Sequence, residues 1–163
     1  MKQIKFLTLV VSLLSPLVAL HASAEASPVQ LRMNDIDAPI GLDAGDVASL
    51  RFGWVIDTPQ RAFTQSGYQI LVASNPQALD NDKGDMWDSG KVTSPRQNGI
   101  AYAGKPLAGK TACWWKVRIW DSDGKSGDWS QPATFETGIV NAEKDWNGKF
   151  VGGLDAKTKS SFN

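Results

Sequence analysis

The sequence predicts an all-β fold, a seven-stranded antiparallel sandwich, and two observations support this. Short apolar runs recur along the chain, separated by clusters of Gly, Pro, Asp, Asn and Ser. Such spacing is typical of antiparallel sandwiches and barrels. No long stretch has the 3.6-residue apolar period of an amphipathic helix. The region with this pattern, residues 25–138, has the length of one ordinary domain.

Three strands are predicted in the N-terminal half, at Val29–Met33, Leu50–Ile56 and Tyr68–Ala73. The second alternates with period two, so its apolar residues are expected on one buried face: Leu50, Phe52, Trp54 and Ile56. In the third, Tyr68, Ile70 and Val72 share a face, and Leu71 lies on the other. Pro76 to Leu79 is expected to form a single helical turn, since Pro favours the first helical position.

Four strands are predicted in the C-terminal half, at Met86–Gly90, Gly99–Tyr102, Ala112–Trp120 and Ala133–Thr137. The third of these has the strongest pattern. Its inward face is predicted to carry Cys113, Trp115, Val117 and Ile119, and its outward face Trp114, Lys116, Arg118 and Trp120. A hairpin loop over residues 121–127 should join it to the last strand.

Seven short strands over about 110 residues suit an immunoglobulin-like or fibronectin type III-like sandwich. In the fibronectin type III pattern a Trp on the second strand packs under an aromatic on the sixth, and Trp54 and Trp115 hold those positions. The single cysteine, Cys113, cannot form an intrachain disulfide, which disfavours an antibody-type domain. Cys113 lies in an apolar strand pattern, so we expect a small buried side chain.

Residues 1–24 have the three-part pattern of a secretory signal peptide. Lys2 and Lys5 form the basic part, Phe6–Leu20 the apolar part, and Ala22–Ala24 the small-residue cleavage site. The alternative, a membrane anchor, needs about 20 apolar residues, which is longer than this run. We therefore expect an exported protein, periplasmic or secreted, with no membrane attachment after cleavage.

Cleavage would remove the only histidine, His21, together with two lysines. Of the 17 basic residues 15 would remain, against 17 acidic ones, a net charge near −2. No basic patch or stripe is present, which argues against nucleic-acid binding. Without an imidazole the mature chain cannot build a Ser-His-Asp or Cys-His nucleophile, or a His-ligated metal site. We predict no catalytic residue, no cofactor and no metal.

The acidic residues do not change that prediction. An inverting glycosidase needs two carboxyl groups about 6.5–9.5 Å apart across a cleft, and nothing in the spacing brings Glu136 and Asp88 together. Residues 121–128 and 80–85 resemble calcium loops, but Lys125 stands where an oxygen ligand is needed. We expect both loops to be turns.

The pattern changes after Thr137. Residues 138–146 are linker-like, and a further β-type segment begins at Gly148 and becomes polar and patternless. A strand this short is not stable without partners. Residues 139–163 are therefore predicted to be a linker and the truncated start of a following β domain.

An ordered set of stretches carries a family resemblance, at Gly67–Ser74, Lys83–Val92, Tyr102–Leu107, Trp114–Asp121, Trp129–Ser130, Phe135–Gly138 and Trp146–Gly152. The set resembles the N-terminal immunoglobulin-like domain of bacterial α-L-rhamnosidases, glycoside hydrolase family 78. That resemblance implies a parent enzyme that cleaves terminal α-L-rhamnose with inversion, using carboxylates in an (α/α)₆ barrel far downstream. No residue here matches those positions. The chain departs from the family by ending early, as a truncated product or a fragment.

Four tryptophans are the candidate functional residues: Trp114, Trp120, Trp87 and Trp129. They would pack against neighbouring domains of the parent enzyme, so the chain is expected to be a non-catalytic, structural module. This hypothesis also predicts an apolar patch near Trp146 and the C-terminal strand. Two alternatives remain open: a carbohydrate-binding module whose exposed tryptophans stack on rhamnose-containing glycans, and a fibronectin-type protein-binding domain.

Overall fold

A computed structural model describes residues 26–148, so the predicted signal peptide and the predicted start of a following domain lie outside the described residues. The described part contains short helices and strands in this order: β1 (Ser27–Met33), α1 (Ala44–Ala48), β2 (Arg51–Asp57), β3 (Gly67–Ala73), α2 (Pro76–Asp80), β4 (Trp87–Asp88), β5 (Val92–Thr93), β6 (Ile100–Ala101), β7 (Ala112–Trp120), β8 (Ala133–Glu136) and α3 (Ala142–Asp145).

The strands form two antiparallel sheets, which confirms the predicted sandwich class. One sheet has the order β1-β2-β6; the other has the order β4-β3-β7-β8, with β5 also pairing with β3. Each of the seven predicted strands is present. The eighth is β5, in which Val92 pairs with Tyr68 and Thr93 with Gly67. Two residues are too few to show an alternating pattern, so the sequence does not reveal this strand.

The sheets pack through the faces that alternation predicts. Trp115, Cys113, Val117 and Ile119 of β7 are 0–1% exposed. Trp115 packs edge-on against Phe52, with ring centroids 4.7 Å apart. Trp54 packs instead against Tyr68, 5.4 Å away. The aromatic partner of Trp115 on the second strand is therefore Phe52 and not Trp54, the residue that the fibronectin type III pattern suggests. Phe52 and Trp54 are two residues apart on β2, so both face inward and either could pack against Trp115.

Two of the short helices begin at side chains that cap their first backbone amides. The predicted turn at Pro76 is α2, which begins after the N-cap Asn75, whose side chain accepts from the Ala78 amide at 2.8 Å. Helix α1 lies between the first two predicted strands, in a segment for which the strand pattern predicts no regular element. A capping box between Asp43 and Asp46 starts it, and none of its residues is buried. Reciprocal capping satisfies otherwise unpaired amides, which lets so short a helix form.

Candidate functional site

The four candidate tryptophans do not form one group. Trp114, Trp120 and Trp129 lie on the outer face of the five-stranded sheet, opposite the face that buries Trp115. Trp120 is only 8% exposed, and the other two are half-buried. This side of the sheet is therefore largely covered rather than an open aromatic platform.

Trp87 lies on the inner side of the same sheet. It pairs with Val72, which is fully buried in the main core. Its ring centroid is 5.5 Å from that of Phe52 and 5.4 Å from that of Tyr102. Trp87 thus closes one end of the core and is separated from the other three tryptophans by the sheet itself.

Three cations cover two of the outer indoles. The Arg118 guanidinium lies 4.6 Å from the Trp129 ring centroid and 5.0 Å from that of Trp120. Lys91 Nζ lies 4.8 Å from the Trp120 ring, and Lys116 Nζ 5.0 Å from the Trp129 ring. We call these five residues the outer stack. A cation over an aromatic ring is attracted by the ring quadrupole, so each contact stabilises the covered state.

Helix α2 covers the remaining part of this face. Leu71, Ala73 and Leu79 form a small second cluster, against which Trp114 and Trp129 pack. The buried ammonium of Lys116 donates to the Leu79 carbonyl at 2.6 Å and to Asp82 Oδ1 at 2.5 Å. The hydrogen bond from Lys116 lowers the pKa of the Asp82 carboxyl. The lysine therefore ties the end of α2 to the sheet.

Asp121 serves as a turn former in the loop after β7, and Asp88 of β4 also accepts two local hydrogen bonds. Asp121 Oδ1 accepts from the amides of Asp123 and Lys125, at 3.0 and 2.8 Å. Asp88 Oδ1 accepts from Gln69 Nε2 and the Gly90 amide, at 2.7 and 2.8 Å. Between residues 26 and 148 no three His, Cys, Asp or Glu side chains are placed to hold a metal ion.

Three exposed apolar side chains lie in the loop before α1 and on either side of α3. Ile40 is 79% exposed, Trp146 49% and Ile139 37%. We call these three residues the end patch. Backbone pairing places the segments of Ile40 and Ile139 side by side: the Gly138 amide donates to the Leu42 carbonyl at 2.7 Å.

A close backbone approach keeps the end patch together. A Cβ on Gly138 would meet the Gly41 carbonyl oxygen at 2.7 Å, so only glycine fits there. On the other side Asp145 Oδ2 accepts from the amides of Val140 and Asn141, at 2.9 and 2.7 Å, which folds α3 back against residue 139. Ile40 and Ile139 therefore occupy neighbouring segments, and Trp146 follows the folded turn.

The loop that supplies Ile40 is acidic. Residues 34–46 contain four aspartates, no lysine and no arginine, and they also expose Ile36, which is 53% accessible. The apolar patch near Trp146 stays a prediction. The exposure of Ile36 and Ile40 is not apparent from strand patterns. The sequence does hold one signal for this exposure. Both isoleucines lie in a segment rich in turn-forming residues, without the alternating pattern that would place them on a buried strand face.

No helix among residues 26–148 is long and apolar enough to cross a membrane.

A family profile, a sequence relative and two solved structures all match the same part of this chain. The profile of the family described as "Rha78A-like, N-terminal immunoglobulin domain" matches residues 28–141. An α-L-rhamnosidase of Streptomyces avermitilis is 40% identical over 116 residues, which are 71% of this chain and 11% of the relative. The matched segment thus spans about a ninth of the length of that protein.

Two solved structures share the fold. The crystal structure of Streptomyces avermitilis α-L-rhamnosidase complexed with L-rhamnose superposes with a TM-score of 0.69 at 37% identity, covering 77% of this chain and 12% of that one. The α-L-rhamnosidase from Dictyoglumus thermophilum gives a TM-score of 0.69 at 35% identity, covering 76% of this chain and 13% of the other.

Proposed function

The chain belongs to the family of Rha78A-like N-terminal immunoglobulin domains, and we propose that it is the non-catalytic, domain-packing module of an exported α-L-rhamnosidase-like glycoside hydrolase. The observation that carries the packing role is the end patch. Ile40, Ile139 and Trp146 are exposed at the end where the chain leads on. Apolar side chains gathered at one end of a small domain mark a surface that a neighbouring element covers.

The outer face of the five-stranded sheet is a less suitable surface for a neighbouring domain than the end patch. Its tryptophans are already covered by cations and by α2, so they have little apolar surface left for another domain. Of the candidate aromatics, none is as exposed as Trp146. We therefore propose that neighbouring domains of the parent enzyme meet the end patch rather than Trp114, Trp120 or Trp129.

A chimera tests the packing role. Residues 25–148 replace the N-terminal domain of the Streptomyces avermitilis relative, and Ile40→Asp is introduced in the chimera and in the isolated chain. In the isolated chain we expect a change within about 0.5 kcal/mol, because exposed substitutions have small effects. In the chimera the same change should lower the midpoint of thermal unfolding of this module by several degrees, because a charge would be buried at the contact.

Val55→Asp is the matched control. Val55 is 48% exposed and lies on β2, away from the end patch. Its substitution should have the same effect in the chimera as in the isolated chain. If Ile40→Asp also behaves alike in both contexts, the packing role is wrong.

Export and the absence of intrinsic hydrolysis are tested separately. Expression of residues 1–163 in a Gram-negative host should yield a periplasmic or secreted protein that begins at Glu25 on N-terminal sequencing. The purified chain should not hydrolyse p-nitrophenyl α-L-rhamnoside. A product that retains residues 1–24 would contradict the exported part of the proposal, and turnover above a heat-denatured control would contradict the non-catalytic part.

A further inference from the structure

A groove opens between the two sheets at the side away from β8. It is lined by residues of β2 and β6 on one wall and of β3, β4 and β5 on the other, and its volume is about 640 Å³. Small-molecule sites are concave and typically about 300–1,000 Å³. The groove is separate from both the outer stack and the end patch.

Aromatic and apolar residues form its floor. Tyr68 and Ile100 line the groove and are each only 7% exposed, and Trp87 lines it half-buried. The Tyr68 ring is held by its edge-on contact with Trp54, 5.4 Å away. The floor is therefore a fixed surface built on core side chains rather than on mobile loops.

Two arginines stand at the rim. Arg51 and Arg96 are both exposed and line the groove, and neither has an acidic partner within residues 26–148. Arg51 donates one hydrogen bond, to the Leu50 carbonyl at 3.0 Å, and Arg96 one long bond, to the Gly99 carbonyl at 3.5 Å. A guanidinium has five N–H donors, so most of those at the rim are available to a ligand.

The floor adds a third donor. Tyr68 is 93% buried as a residue, yet its hydroxyl makes no hydrogen bond within the described part of the chain. Burial raises the pKa of Tyr68, and the nearby Arg96 only partly offsets this, so the phenol is protonated and can donate near neutral pH. The one carboxylate in the groove belongs to Asp88, and its Oδ1 accepts from Gln69 and from the Gly90 amide.

Two guanidinium groups and a phenol, set against one carboxylate and an aromatic floor, fit one class of ligand. We propose that this groove binds a sugar unit that carries an anionic group, a carboxylate or a sulfate, with Arg51 and Arg96 on the anion, the Trp87 ring under the sugar and the Tyr68 hydroxyl donating to it. Guanidinium groups bind carboxylates and tetrahedral oxyanions in a bidentate manner, and this adds specificity. The amphipathic rings suit a ligand with one apolar and one polar face. The inference does not depend on the packing role, which concerns the end patch.

The experiment is a titration of the full chain, signal peptide removed, followed by ¹H–¹⁵N NMR at low ionic strength. The probes are D-glucuronate, glucose 6-sulfate, inorganic sulfate and, as the neutral control, glucose. We expect saturable shifts at groove residues with at least one of the two anionic sugars and none with glucose. Arg96→Gln should weaken that binding at least tenfold and Tyr68→Phe several-fold, whereas Arg32→Gln, an exposed arginine of β1 that does not line the groove, should leave it unchanged.

Each contrary result overturns the proposal. The groove is no sugar site if neither anionic sugar binds, if glucose binds as well as glucuronate, or if inorganic sulfate alone binds as tightly as glucose 6-sulfate. Equal binding by Arg96→Gln and Arg32→Gln would place the ligand elsewhere. Which of the two anionic sugars binds more tightly identifies the anionic group.

Discussion

The guanidinium of Arg118 lies 4.6 Å from the ring centroid of Trp129, and this contact closes the outer face of the five-stranded sheet. Arg118 belongs to β7, whereas Trp129 lies in the segment between β7 and β8. The contact therefore fastens an irregular segment to a central strand. The Ser130 hydroxyl, next to Trp129, accepts from the Val117 amide at 3.1 Å and fixes the same segment to β7.

Trp129→Ala should lower the free energy of unfolding by about 2 kcal/mol. It removes two cation–π contacts, worth roughly 0.5–1 kcal/mol each at partly exposed sites, together with packing against α2. The measurement is urea denaturation of residues 25–163 followed by circular dichroism. Trp146→Ala is the control, and it should cost less than about 1 kcal/mol because that ring is half exposed. Equal losses in the two variants would mean that the outer stack contributes nothing specific.

The Asp82–Lys116 contact predicts a pH dependence. The hydrogen bond from Lys116 lowers the folded-state pKa of Asp82 below its ordinary value of 3.8. A lowered pKa means that the carboxylate contributes stability above its unfolded-state pKa and loses that contribution as the pH falls through the folded-state value. Wild type should therefore be more stable than Asp82→Asn near pH 7, and the difference should shrink below about pH 4.

Denaturant titrations at several pH values between 3 and 7 check this. Lys116→Met is the companion variant: in its background, Asp82→Asn should no longer change the pH dependence. A difference between wild type and Asp82→Asn that stays constant down to pH 3 would show that the pKa of Asp82 is not lowered in solution.

The long central strand could be predicted from sequence to its exact ends, whereas the shortest elements could not. β7 alternates over nine residues, Ala112–Trp120, and each predicted inward residue is buried. β5 has two residues, and its pairing with Tyr68 depends on where β3 lies. Helix α1 depends on a capping box that reads in the sequence as two more aspartates of a turn-rich loop.

The candidate site was only partly accessible to sequence reasoning. Alternation places Trp114 and Trp120 on the outward face, and the structure agrees. Alternation gives no information on what covers that face, because Lys91 reaches Trp120 from a segment 29 positions earlier in the chain. The groove is a similar case, since Arg51 and Arg96 lie 45 positions apart in the chain and line one groove only in the folded protein.

Cys113 should be inert in the folded protein. Its side chain is fully buried, and burial raises the pKa of its thiol to about 11, so very little thiolate is present near pH 8. The thiolate is the reactive form. Reaction with 5,5′-dithiobis(2-nitrobenzoate) at pH 8 should therefore proceed only through unfolding, and its rate should rise with urea in step with the unfolded fraction. Rapid labelling of the native chain would contradict the burial of Cys113.

Neutral rhamnose should not bind to the outer stack. Trp120 is 8% exposed and has Lys91 and Arg118 over its ring, and Trp129 has Arg118 and Lys116 over its own. A sugar ring could stack on these indoles only by displacing the cations, which would forfeit roughly 0.5–1 kcal/mol per contact. Titration of residues 25–163 with L-rhamnose to millimolar concentration should leave the tryptophan fluorescence unchanged, and Trp114→Phe and Trp120→Phe should behave like wild type. A saturable shift in wild type that is lost in Trp120→Phe but kept in Trp87→Phe would instead make the outer stack a sugar platform, and the accessory role would then include carbohydrate binding.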